Sequence, residues 1–145
     1  MDWDFEKIIF LLNESTRLAL SGCAKLILDF KSDGSIVTQV DKQIEQFLFK
    51  EIKKPGNFVL GEETISTYKE EYIKDALISE STFIIDPIDG TSSFAAGLPS
   101  YGISLAYASG GKIIEGAISL PLSGEFFITS KDNVFYAKKI LVAIL

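Results

Sequence analysis

Four acidic residues fall where the pattern places the ends of elements: Asp41, Glu62, Asp86 and Asp89. Hard divalent cations such as Mg²⁺ take oxygen ligands in near-octahedral geometry, typically a few carboxylates with waters and a substrate phosphate. In the stretch DPIDGT, residues 86–91, two carboxylates stand three residues apart after the apolar run FII at 83–85. Pro87 stiffens that segment, so both carboxylates can face a common pair of ions. Gly90 lets the backbone come close to a ligand. Its amide, with those of Thr91 and Ser92, would open a short helix or nest of the kind that binds phosphate oxygens.

Each of these residues also has a plainer reading. Asp41 follows Thr38 by three, the spacing of a helix capping box, and one residue can serve both purposes. Glu62 and Glu63 can be solvated loop acids. Asp86 and Asp89 are turn formers beside Pro and Gly, and Thr91 and Ser92 are good N-caps. Other acidic motifs fit worse. A calcium loop places Asp at positions one, three and five before its Gly, whereas these stand at one and four. A phosphoaspartyl enzyme spaces its aspartates by two, and the Walker lysine pattern is absent.

The rest of the composition prunes the chemistry. Histidine is absent, so unless a partner supplies one, Ser-His-Asp and Cys-His catalysis and imidazole zinc sites are excluded. The net charge of −6, with fourteen scattered basic residues, argues against nucleic acid as a partner. An acidic protein acting on an anionic substrate needs a cation at its site. The one cysteine, Cys23, sits in an apolar helical pattern and reads as a small core residue; no internal disulfide is possible, which suits a reducing compartment. The acidic start MDWDFEK is unlike a signal peptide, and IIFLLNESTRLAL is broken by polar residues before it spans a membrane. The expectation is a cytoplasmic protein with no membrane partner.

The positioning elements follow from periodicity. Apolar residues at Phe5, Ile8, Leu12, Ala19, Cys23, Leu26 and Phe30 predict one long helix over 5–30. KSDGS is a loop, and a second helix runs from about Thr38 with Val40, Ile44, Phe47, Leu48 and Ile52 on one face, ending near KKPG. NFVL reads as a strand, residues 68–78 as a charged helix, and TFIID as another strand. SYGISLAYA alternates Tyr101, Ile103, Leu105 and Tyr107 against smaller residues. The turns GG, PLSG and KDN then separate the strands KIIEGAISL, EFFIT and VFYA. The fold class is α+β: two long helices packed on an antiparallel sheet, in a single domain over 1–145. The apolar end of KKILVAIL reads as an edge strand or the stub of something longer.

These motifs together resemble one family. GEE at 61–63, DPIDGT at 86–91, F..G.P....SLAY at 94–107 and G.I..GAI at 111–118, with KSDGSIVTQVD upstream, are similar to the inositol monophosphatase superfamily of Mg²⁺-dependent, lithium-sensitive phosphatases. The resemblance implies the N-terminal part of a layered αβαβα sugar-phosphatase fold. It implies that Glu62, Asp86 and the Ile88 carbonyl ligate one Mg²⁺, and that Asp86 bridges to a second ion held by Asp89. Thr91, hydrogen-bonded to Asp41, would orient and help deprotonate the attacking water, with Glu63 assisting. Gly90, Thr91 and Ser92 amides would receive the phosphate. The implied substrate is an inositol phosphate, a sugar phosphate or a nucleotide bisphosphate such as 3′-phosphoadenosine 5′-phosphate, and homodimers are common in the family.

The match also departs from the family. Its members are nearly twice this long, and their second half carries a Trp-Asp segment absent here. The expectation is therefore a truncated chain, and the alternative function is a catalytically incomplete remnant that acts only by association.

Overall fold

The computed structural model describes residues 3–23, 26–32 and 34–138. Asp4 caps the first helix, α1 (Phe5–Gly22), by accepting from the Lys7 amide at 2.9 Å. Ile8, Leu11, Leu12, Ser15, Thr16 and Ala19 form its buried stripe. The helix ends well short of the predicted Phe30. Ser21 and Gly22 are weak helix formers, and Gly22 is pressed so closely on Val40 that an added Cβ would overlap it. Beyond it, β1 (Leu28–Phe30) pairs antiparallel with β2 (Ile36–Thr38). Phe30, counted above as helix face, is 68% exposed on that small ribbon. Cys23 corrects the reading in the same way: it lies exposed at the end of α1 rather than in the core.

The second helix, α2 (Gln39–Ile52), begins as predicted, with Thr38 as its N-cap and Asp41 completing a capping box. The main sheet has the order β3-β4-β5-β6-β7-β8. Its strands are β3 (Phe58–Gly61), β4 (Thr82–Asp89), β5 (Gly102–Ser109), β6 (Lys112–Leu120), β7 (Glu125–Ser130) and β8 (Asn133–Lys138). From β4 onward it is the expected antiparallel meander, and Gly110 and Gly111, both at positive φ, make the tight turn between β5 and β6. The departure from a purely antiparallel sheet is β3, which pairs parallel to β4. A parallel pair requires a crossover, supplied by residues 62–81 with a 3₁₀ turn (Ile65–Thr67) and α3 (Glu70–Ile78).

Both long helices contribute to one core. Ile8, Leu12, Ile44 and Leu48 pack with Ile85, Ile103, Leu105, Tyr107 and Ile128 from the sheet. The alternation read in SYGISLAYA holds: Tyr101, Ile103, Leu105 and Tyr107 are all buried. Strand residues of the opposite parity, Ile84, Ile118, Phe127 and Val134, remain exposed and line an apolar groove of about 400 Å³. Among the described residues no helix is long and apolar enough to cross a membrane. The terminal apolar run lies outside the described residues from position 139 on.

Candidate active site

The parallel register brings residues distant in sequence together. Gly61 pairs with Ile85, and the ladder continues as the Glu62 amide donates to the Ile85 carbonyl at 3.1 Å. Glu62 therefore stands beside Asp86. The DPID stretch is the irregular end of β4 rather than a turn after it, with a register shift between Asp86 and Asp89 against β5. Pro87 has no N–H to donate, and a bulge is where a strand tolerates that. Gly90 then adopts φ 91°, and a Cβ there would stand 2.7 Å from the Ser100 carbonyl oxygen. That turn starts the short helix α4 (Thr91–Ala95), whose first amides, including Thr91 and Ser92, have no acceptor within the helix.

Asp41 is fully buried in the first turn of α2. Its Oδ2 accepts from the Thr38 amide at 2.8 Å and from the Thr38 hydroxyl. Its Oδ1 faces the Thr91 hydroxyl at 3.0 Å. Thr91 Oγ1 also lies 2.9 Å from the Ile88 carbonyl, so one hydroxyl proton has two acceptors to choose between. The predicted Asp41–Thr91 pair is present, and the capping reading of Asp41 is present with it. The Ile88 carbonyl is turned toward Thr91.

The other acids are less well partnered. Asp86 Oδ1 is buried without a hydrogen-bond partner. Burial raises the Asp86 carboxyl to about 7; the charge of Glu62 and a hydrogen bond shared with it, then the charges of Asp89 and Asp41, add to the effect. Glu63 has a side chain only 7% exposed, with Oε1 unpartnered. Burial raises its pKa, opposed by Lys31. Among the described residues no three acidic groups close around one point as a finished cage. Glu62, Asp89 and Asp41 are electrostatic neighbours of Asp86 without forming one.

Two participants were not anticipated. Lys31 reaches Glu62 Oε1 at 2.9 Å and Glu63 Oε2 at 3.0 Å. Burial lowers its pKa, but the two glutamates outweigh that and hold the ammonium above its ordinary value. Lys31 opens the KSDGSIVTQVD segment that carries part of the resemblance, yet no role was drawn from it. Glu45, 2% exposed, accepts from the Glu63 amide at 2.7 Å through Oε2 and so fixes the GEE turn. Its signal was available, since it is a charged residue on the buried stripe of α2 between Ile44 and Leu48.

The sequence profile of the inositol monophosphatase family matches residues 11–140. The chain belongs to that family. An inositol-1-monophosphatase of Mesorhizobium japonicum is 31% identical over 135 residues, covering 85% of this chain and 48% of the relative. Inositol monophosphatase 2 of Saccharomyces cerevisiae is 37% identical over 110 residues, covering 72% of this chain and 35% of the relative. Among solved structures, the Thermotoga maritima IMPase superposes with a TM-score of 0.75 at 28% identity, covering 90% of this chain and 50% of that one. The chain therefore spans about half the length, or less, of these family members, and its α+β fold is theirs over that span.

Proposed function

We propose that this chain carries the cation-binding and water-activating part of a Mg²⁺-dependent phosphomonoesterase acting on a small phosphate ester. The observation that carries the reading is the buried, unpartnered Asp86 Oδ1 beside Glu62. A buried carboxylate oxygen with no donor, crowded by a second carboxylate, is costly, and a positive charge relieves it. Their hard oxygen chemistry fits Mg²⁺. Glu62, Asp86, Asp89 and the Ile88 carbonyl would hold it. When bound, the ion would neutralise phosphate charge and acidify water.

The chain's own groups do the rest. Thr91 orients a water through its hydroxyl, and Asp41 accepts the proton that Thr91 passes on. Glu63, buried and held by Lys31, offers a second acceptor. The amides of Gly90, Thr91 and Ser92 receive the phosphate oxygens. The names of the relatives favour an inositol monophosphate as substrate, with sugar phosphates and 3′-phosphoadenosine 5′-phosphate as further candidates.

A second reading has its own observation. The apolar sheet face lined by Ile84, Ile118, Phe127 and Val134 is open, and exposed faces of this kind favour association. In that reading the chain is catalytically incomplete alone and acts by association with another copy or another subunit. Phosphate release from a panel of monoesters, with and without Mg²⁺, tests both. Mg²⁺-dependent release that Asp86→Ala abolishes supports the phosphatase, and release no greater than that of the variant supports the incomplete chain.

A further inference from the structure

The main sheet has two edges, and they are finished differently. At the β3 edge, Tyr72 from α3 covers the backbone. Its hydroxyl accepts from the Val59 amide at 3.2 Å and donates to the Val59 carbonyl at 3.3 Å. At the other edge stands β8, and all six of its residues are exposed. Open edges are commonly blunted by Pro, by a bulge or by charges along the strand. NVFYAK has none of these: its register with β7 is unbroken from Asn133 to Lys138, and its one charge is at the end.

The turn before β8 fixes which of its backbone groups are free. Lys131 and Asp132, at φ 50° and 65°, make a two-residue turn of the I′ type. Ser130 and Asn133 close it as a hydrogen-bonded pair. Bonded pairs alternate along an antiparallel ladder, so Asn133, Phe135 and Ala137 bond to β7. The Thr129 carbonyl, of the opposite parity, accepts from Trp3 Nε1 instead. Val134, Tyr136 and Lys138 therefore turn their N–H and C=O outward, and among the described residues no strand meets them.

This edge is complementary to itself. Antiparallel pairing of two β8 strands about a twofold axis at Phe135 sets Val134 opposite Tyr136, in the parity that bonds. It also sets Asp132 of each copy opposite Lys138 of the other. A β-branched residue facing an aromatic one, and opposite charges facing each other, are both favourable across strands. The two Phe135 side chains then adjoin, beside an apolar groove of about 470 Å³ that Phe135 lines with Phe5 and Ile9. Because the β3 edge is covered, pairing closes at two copies rather than running on into a fibre.

We propose that β8 is a homodimer interface, joining two copies of this chain edge to edge in one continuous sheet. The proposal does not depend on the phosphatase reading, because association is measured directly.

The test is sedimentation of the full chain across about 1–100 µM, which brackets micromolar affinity, with hydrogen exchange on the same samples. The expected result is a monomer–dimer equilibrium in which exchange of the Val134 and Tyr136 amides slows as concentration rises. Lys138→Glu weakens the dimer about 10-fold, because two attractive charge pairs become repulsive. Adding Asp132→Lys restores it, and Lys131 shows that this turn accepts lysine at positive φ. Val134→Pro removes an outward N–H, which an edge strand tolerates, and abolishes the dimer; far-ultraviolet circular dichroism confirms the fold. Ile118→Lys, on the open sheet face away from the edge, leaves affinity unchanged. A monomer at every concentration overturns the proposal. So does protection of both amides in a monomer, the sign of an edge covered within one chain. A dimer that survives Lys138→Glu and Val134→Pro, or that Ile118→Lys dissociates, overturns it too, as does a double variant no tighter than Lys138→Glu.

Discussion

The two sides of the candidate site are built on opposite principles. On one, Asp41 uses both oxygens: one closes the capping box with Thr38 and the other meets Thr91. On the other, Asp86 is wedged against Glu62 with Oδ1 unpartnered and its pKa raised to about 7 by burial and like charge. The first side is complete as folded and holds the backbone in place. The second is under electrostatic load and is relieved by incoming positive charge. Within one site, geometry and affinity are thus assigned to different carboxylates.

The sharpest way to break this contrast is to remove one carboxylate from each side. Asp86→Ala is expected to lower Mg²⁺-dependent phosphate release at least about 100-fold, since even groups behind a metal ligand are worth 10- to 100-fold. Chemical denaturation should show its stability unreduced. Asp41→Ala is the converse. Three hydrogen bonds to a buried carboxylate are lost, so stability falls by about 2–3 kcal/mol with or without Mg²⁺. A stability loss in Asp86→Ala as large as that in Asp41→Ala would erase the distinction.

The pH dependence sharpens it. In the metal-free chain, folded Asp86 holds its proton up to about 7 while the unfolded carboxyl releases it near 3.8. The native state binds more protons across that interval, so stability is highest below it and is lost as pH rises through about 7. After allowance for its half-exposed position the loss is about 1 kcal/mol. Denaturation midpoints at pH 4, 5.5 and 7 measure it, and Asp86→Asn should flatten the profile. The smallest effect belongs to Lys31→Met. Its bridge to Glu62 is partly exposed, and Glu63, though buried, can take up a proton once the ammonium is gone, so stability changes by only about 1 kcal/mol. Mg²⁺ binding followed by calorimetry should tighten, because Glu62 no longer shares its carboxylate with an ammonium.

Much of this arrangement was legible in the residues. Thr38 and Asp41 announced the start of α2, and Tyr101, Ile103, Leu105 and Tyr107 announced β5, because side-chain period reports directly on burial. Direction and length were less legible. The spacing of Ala19, Cys23, Leu26 and Phe30 fits a helix, yet it spans the end of α1, a connecting segment and β1, since periodicity cannot register the contact between Gly22 and Val40. Nor does a short apolar run state whether its partner is parallel, so the pairing of β3 with β4, which sets Glu62 beside Asp86, emerged only from the fold. Lys31 was hidden because its partners lie thirty-one residues away and beyond. Glu45 was visible as a charge on an apolar stripe and was passed over.

The double use of Asp41 has a consequence for motion. Helix ends are where native chains open first, with free energies well below that of global unfolding. Here the first turn of α2 cannot fray without releasing Thr91, because the carboxylate that binds the Thr38 amide also meets the Thr91 hydroxyl. Opening of that turn and loosening of α4 are therefore one event. The exchange rate of the Thr38 amide proton measures how often the site comes apart.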